Sequence, residues 1–287
     1  MPSPVLLVLV ATLTAFLFAE VSSAEEPPSA TREPVTPDQK RRADDLAVLA
    51  NVAGRAPIVL PNGGRAELQR EPAYRWSNSV GTTIGRHVKD AALFFWMADD
   101  RPVAATTVVW YSELGLYQEF LSLAPGPLTA SRGTNAVWAP TQAGVTFQPV
   151  PEAPSPAANA AGRFSQMKAI AGRFRGEVVK GPPTYPEGSL WQLRLLPRPL
   201  VRYGAQGEPA RDGAVFALCQ DSDPEACLLL EVRGDGDRSA WHFAVGALTS
   251  RELKVWYDDN LVWTKPLIRP ASDPKRPYYV LSPNAVP

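Results

Sequence analysis

The first feature of the pattern is a fifteen-residue apolar run, Val5 to Ala19, followed by the small residues Ser22-Ser23-Ala24. The run is shorter than the roughly 20 residues that a membrane-spanning helix needs, and small residues just beyond such a run are what a signal peptidase reads. Residues 1–24 are therefore expected to be a cleaved export signal, with a retained anchor as the alternative, placing the mature chain outside the cytoplasm, secreted or periplasmic. Residues 25–35 are polar and contain Pro27, Pro28 and Pro34, the pattern of a disordered tether. Thr36-Pro37-Asp38-Gln39 then reads as a helix start, with Thr36 as N-cap and Gln39 closing a capping box, and the helix should run to about Ala53 and stop at Gly54.

Beyond Pro57 the spacing changes to short apolar runs separated by turns, which predicts strands. Ala91 to Ala98, Val103 to Tyr111 and Tyr117 to Leu123 are the first clear ones. A Pro/Ala-rich connection from Pro140 to Ala161 precedes a second helix, residues 160–174, capped by Asn159. In it Phe164, Met167, Ile170, Ala171 and Phe174 share one face, leaving Arg163, Lys168 and Arg173 for solvent. Strand patterns resume at Trp191 and continue through Ala214 to Gln220, Ala226 to Arg233, Ala240 to Leu248, Leu253 to Tyr257 and Leu261 to Thr264, before an irregular Pro-rich tail at 267–287.

Sliding the chain by 122 residues superposes Asp90–Trp110 on Asp212–Val232 without a gap, with identities that include Asp90/Asp212, Phe94/Phe216, Asp99/Asp221 and Pro102/Pro224. Arg75-Trp76 then matches Arg202-Tyr203, Glu119-Phe120 matches His242-Phe243, and Val137-Trp138 matches Val262-Trp263. The expectation is a mainly β (α+β) fold in which two pseudo-repeat antiparallel β modules, 74–140 and 198–266, pack into one domain, 36–266. A lone sheet cannot bury its apolar face, so the two copies should cover each other, with the amphipathic helix bridging them.

Composition changes this picture little. The 30 Pro among 287 residues are roughly twice ordinary usage, which excludes a mostly helical fold. The 29 basic against 29 acidic residues offer no basic patch for a nucleic-acid partner, and the mature chain carries no segment for membrane insertion. The two cysteines, Cys219 and Cys227, flank the turn Asp221–Glu225; in an exported protein they are expected to form a cross-strand disulfide.

Candidate chemistry is sparse. With two cysteines and only two histidines, His87 and His242, distant in sequence, no zinc-type ligand spacing exists. No Gly-x-Ser-x-Gly turn is present for a hydrolase nucleophile, and no glycine-rich phosphate loop for a nucleotide, so neither metal nor cofactor is expected. Ser165 and Lys168 fit a Ser-x-x-Lys pattern without its companion Lys-Thr-Gly. Asp221-Ser222-Asp223 and Asp235-Gly236-Asp237 place acids in turns, where they bond local backbone more often than calcium. The eight Trp are the remaining candidates, as core or as stacking platforms for sugars.

Arg75-Trp76-Ser77-Asn78, Glu119-Phe120-Leu121-Ser122-Leu123, Leu193–Leu200 and Asp212–Ala217 with Asp223-Pro224-Glu225 resemble an uncharacterised family of secreted planctomycete proteins. The resemblance spans about Leu68 to Pro266 and implies no activity. These readings converge on an exported, non-enzymatic binding or structural module of the cell envelope with a glycan or protein partner. The alternatives are an envelope polysaccharide hydrolase or a carbohydrate-binding module.

Overall fold

The computed structural model describes residues 36–78, 87–179, 186, 188–204 and 212–283. The predicted signal and tether, residues 1–35, lie outside the described residues. Helix α1 (Pro37–Ala53) begins on its predicted capping box: the Thr36 hydroxyl accepts from the Gln39 N–H, the Gln39 side chain accepts in return, and Gly54 closes the helix. Strands β1 (Ile58–Val59), β2 (Glu67–Leu68) and β3 (Tyr74–Asn78) lead into a long meander of β4 (Val88–Ala98), β5 (Arg101–Tyr111) and β6 (Gly115–Ser122), followed by a hairpin of β7 (Thr129–Arg132) and β8 (Asn135–Trp138). After β9 (Gln148–Pro149) the order recurs: α2 (Ala160–Ala171), β10 (Phe174–Val179), β11 (Leu190–Leu195), β12 (Val201–Tyr203), a meander of β13 (Gly213–Gln220), β14 (Asp223–Arg233) and β15 (Ala240–Ala247), and a hairpin of β16 (Leu253–Tyr257) and β17 (Asn260–Lys265). The last strand is β18 (Tyr278–Leu281).

The strands form a six-stranded sheet around β4–β5–β6, a nine-stranded sheet around β13–β14–β15 and a three-stranded sheet of β1, β7 and β8. Because side chains alternate between faces, each meander offers two apolar faces. The inner faces meet in one core that draws Leu93, Phe95 and Leu121 from the first meander and Val215, Leu229 and Ala244 from the second. The outer face of the first carries α1, through Leu49, Val52 and Ala53 on Ala92, Phe94 and Val108. The outer face of the second carries α2, through Met167, Ile170 and Ala171 on Ala214, Phe216 and Leu230. Among the described residues no helix is long and apolar enough to cross a membrane.

The ladders of the two halves run in the same register. Trp96 faces Ala104 and Met97 faces Pro102, with a bulge between Trp96 and Met97; Leu218 faces Ala226 and Cys219 faces Pro224, with the bulge between Leu218 and Cys219. Arg75 and Trp76 lie opposite Ala92 and Ala91, as Arg202 and Tyr203 lie opposite Ala214 and Gly213. Ala130 faces Trp138 before a bulge at Ala130/Ser131, as Val255 faces Trp263 before a bulge at Val255/Trp256. The trailing strands cross over: β9, which follows the first hairpin, pairs with β15, and β18, which follows the second, pairs with β6.

Several expectations change. Cys219 and Cys227 are both buried and unbonded: the bulge sets Cys219 against Pro224 while Cys227 faces Ala217. The two are thus diagonal, a separation of about 7–8 Å between Cα atoms, which is too far for a disulfide. Helix α2 sits on the second meander rather than bridging two, and its Arg163 is buried rather than solvent-facing. Phe120 pairs with Thr106 where Val245 pairs with Leu228, so the ladder equates Phe120 with Val245, two residues along from the sequence match to Phe243. Part of the tail read as irregular forms β18.

Candidate functional site

Among the places where polar groups gather away from open water, two stand out. The first lies in the seam between the halves, where β6, the start of β14 and β18 approach one another. Glu119 on β6 has its carboxyl pushed up to about 8 by burial and by the charge of Glu225, against a hydrogen bond donated by Tyr278. Glu225 on β14 is also raised, first by burial, while a hydrogen bond from Thr249 and the charges of Arg251 and Lys265 pull it back. Asp223 is raised by burial of its carboxyl and by the charges of Glu225 and Glu119; because the residue as a whole keeps solvent contact, the like charges are the cause with most weight. Lys265 is lowered to about 8, chiefly by burial, and its Nζ donates to the carbonyls of Arg251 and Pro266 at 2.6 and 3.2 Å. Burial and the mutual repulsion of these carboxylates favour their protonated forms, the direction expected of like charges confined together.

The seam is tied by Arg101 on β5, whose guanidinium donates to Glu231 of β14 at 3.3 Å. Phe147 lies beneath both Arg101 and Arg233, at 5.3 and 4.3 Å from the ring centre. Arginine stacked on an aromatic face is held by the ring quadrupole, so this contact orients the pair.

The other polar place is a cavity of about 430 Å³ at the C-terminal end of α1, lined by Val52, Arg55, Leu116, Gln118, Arg132 and Leu281 among others. Gln118 Nε2 donates to the Ala53 carbonyl at 3.3 Å, and Arg132 donates to Gln118 Oε1 at 2.8 Å. Arg132 Nε is buried without a hydrogen-bond partner. Burial and the charge of Arg55 lower Arg132 below the ordinary guanidinium value.

The residues singled out from sequence are dispersed. His242, on β15, has Nδ1 3.2 Å from the Ala240 carbonyl; His87 is exposed before β4. Ser165 and Lys168 are exposed on α2, with the Lys168 ammonium over the Phe164 ring. Asp221 occupies a turn with φ of 51°, and Asp235 precedes a 3₁₀ turn at Gly236–Arg238. Among the described residues no three His, Cys, Asp or Glu side chains gather as a metal ion would require. Of the tryptophans, Trp76, Trp96, Trp138 and Trp241 are buried, while Trp110 and Trp256 are half-buried under Lys89 at 3.6 Å and Arg175 at 4.3 Å. Sequence reasoning missed Glu119, Tyr278, Lys265, Arg55 and Arg132; Glu119 and Glu225 stood inside quoted motifs, but nothing in the linear order shows that they meet.

Comparison with known proteins places nothing beside this chain: no family profile, no curated protein and no solved structure matches it.

Proposed function

We propose that the protein is an exported, non-enzymatic binding or structural module of the cell envelope, built from two copies of one unit that close over a common seam. The shared registers and bulge positions of the two meanders support the duplication. The observation that carries the non-enzymatic reading is the engagement of the seam carboxyls. Glu119 is held by Tyr278 within the first sheet and Glu225 by Thr249, Arg251 and Lys265 within the second half, so both carboxyls are engaged inside the fold. A catalytic acid, by contrast, must reach a substrate proton within hydrogen-bond distance.

The alternative, a hydrolase of envelope polysaccharide, draws on Asp223, solvent-facing beside Glu225 with both carboxyls raised, since a glycosidase pairs a raised acid with a second carboxylate. A carbohydrate-binding module would need open aromatic faces, and Trp110 and Trp256 carry cations on theirs. The discriminating measurement is release of reducing ends from a panel of envelope polysaccharides. No turnover is expected; turnover that disappears in Asp223→Asn and Glu225→Gln would assign the hydrolase. Export is read separately by amino-terminal sequencing of the protein from its cells: a start near Glu25 is expected, and a chain retaining residues 1–24 would refute it.

A further inference from the structure

We propose that the cavity at the end of α1 binds a small organic acid, its carboxylate held by Arg55 and Arg132 and its apolar part lying on Val52, Leu116 and Leu281. The volume, about 430 Å³, falls within the range of small-molecule sites, about 300–1,000 Å³. Its lining mixes apolar side chains with few but strongly directional polar ones. Gln118 bonds both the helix end at Ala53 and the Arg132 guanidinium, which orients that guanidinium without neutralising it. Arg55 shares its donors with Asn51 Oδ1 at 3.2 and 3.1 Å. Among the described residues neither arginine has a carboxylate within ion-pair distance. Two like charges thus meet at one cavity, one of them partly buried, an arrangement that an anion relieves.

The other half of the molecule shows what the same position becomes without a ligand to hold. Arg55 and Arg173 each follow the glycine that ends a helix, and their N–H groups bond equivalent carbonyls, Val52 and Ile170. In register, Leu116, Gln118 and Arg132 correspond to Trp241, Phe243 and Tyr257. Those three aromatics pack with Phe174 into the core. Arg173 lies over Tyr257, 4.3 Å from its centre, and donates to Asp258, whose counterpart in the first half is Gly133. Among the described residues one half is therefore filled and charge-balanced, whereas the other is hollow, with two guanidiniums and no acid. A planar guanidinium fork matches a carboxylate in a bidentate geometry, and the apolar part of the lining favours a ligand with a hydrocarbon body over a bare hydrated anion.

The inference deepens the binding reading by naming a ligand class, and its test is a direct titration, so it can fail while polysaccharide turnover stays absent. Calorimetric titration of the full chain with hexanoate is expected to show saturable one-site binding, and hexanamide none. Arg55→Gln, which alters an exposed side chain, should weaken hexanoate at least about tenfold through loss of a charge-assisted pair. Leu116→Trp, which installs the bulk of Trp241, should abolish binding while the melting curve shows the protein folded. Binding unchanged in both variants, or no saturable binding, would overturn the proposal. Inorganic phosphate binding as tightly as hexanoate would overturn the organic-acid class. Binding seen only after removal of residues 284–287 would show that the full chain's cavity does not take the acid and equally overturn it.

Discussion

Glu119 shows how much a single position depends on what folds around it. Its ordinary value is 4.5 and its folded value about 8, so between those pH values the native state keeps a proton that the unfolded state has released. A native state that binds more protons loses stability as pH rises. The contribution is thus absent below about pH 4.5, grows unfavourable through neutrality and is complete above about 8. Glu225 and Asp223, raised in the same direction, steepen the fall. The expected outcome is urea stability that declines from pH 5 to 8 in the native protein and declines less in Glu119→Gln, which is the more stable of the two at pH 8. Parallel profiles for the two proteins would show that Glu119 does not carry the dependence. None of this was readable from the chain, because Glu119 sits in an alternating strand where an acid ordinarily faces water. What buries it is β18, from a proline-rich stretch that carries no strong strand pattern.

At the level of elements, the helices show which local signals suffice and which do not. The capping box and glycine stop placed α1 to the residue, and the Asn159 cap placed the start of α2, since caps are decided by neighbours in sequence; the end of α2 falls three residues short of the expected 174, where Phe174 opens β10. The face of α2 was harder. Arg163, spaced for solvent, is instead buried and donates through Nε to Asp212 at 2.8 Å, and Arg202 of β12 donates to both oxygens of the same carboxylate. Spare donors of the two guanidiniums go to the carbonyls of Ala158 and Ala160. Asp212 therefore seats the helix on the sheet, whereas its first-half counterpart, Asp90, holds Arg75 alone among the described residues. Removing one partner of a buried ion pair leaves a desolvated charge, which costs about 3–5 kcal/mol. Asp212→Ala is expected to lose that much in chemical denaturation, and Asp90→Ala less, because Arg75 retains partial solvent contact. Equal losses at the two sites would remove the special role of Asp212. The sign of this was partly legible: the Asp90/Asp212 identity marked both positions, while the arginines that meet them come from elements far apart in sequence.

For the molecule as a whole, the crossing of the trailing strands decides how the halves depend on each other. Strand β18 leaves the second hairpin and completes the first meander's sheet, placing Tyr279 on Phe120 with ring centres 6.1 Å apart, and Tyr278 and Leu281 are buried with it. Strand β9 makes the reverse crossing onto β15. With the inner faces already sharing one core, neither half retains its complete sheet and both of its apolar coverings when separated. Burying a large apolar side chain contributes about 1.5–3 kcal/mol, so the three buried residues of β18 together represent a substantial part of the roughly 5–15 kcal/mol that holds a domain folded. Their loss also exposes the edge of β6, an open template for association. A chain ended at Pro277 is therefore expected to melt at a markedly lower temperature in a single transition, with far-ultraviolet dichroism and tryptophan fluorescence coinciding, and to aggregate. Were the loss confined to the first half, the two probes would separate and the second meander would melt near its original temperature, since most of the half-buried tryptophans, Trp191, Trp256 and Trp263, report from that side. Coincident transitions would mean that the halves fold as one unit, tied by strands that each lends to the other.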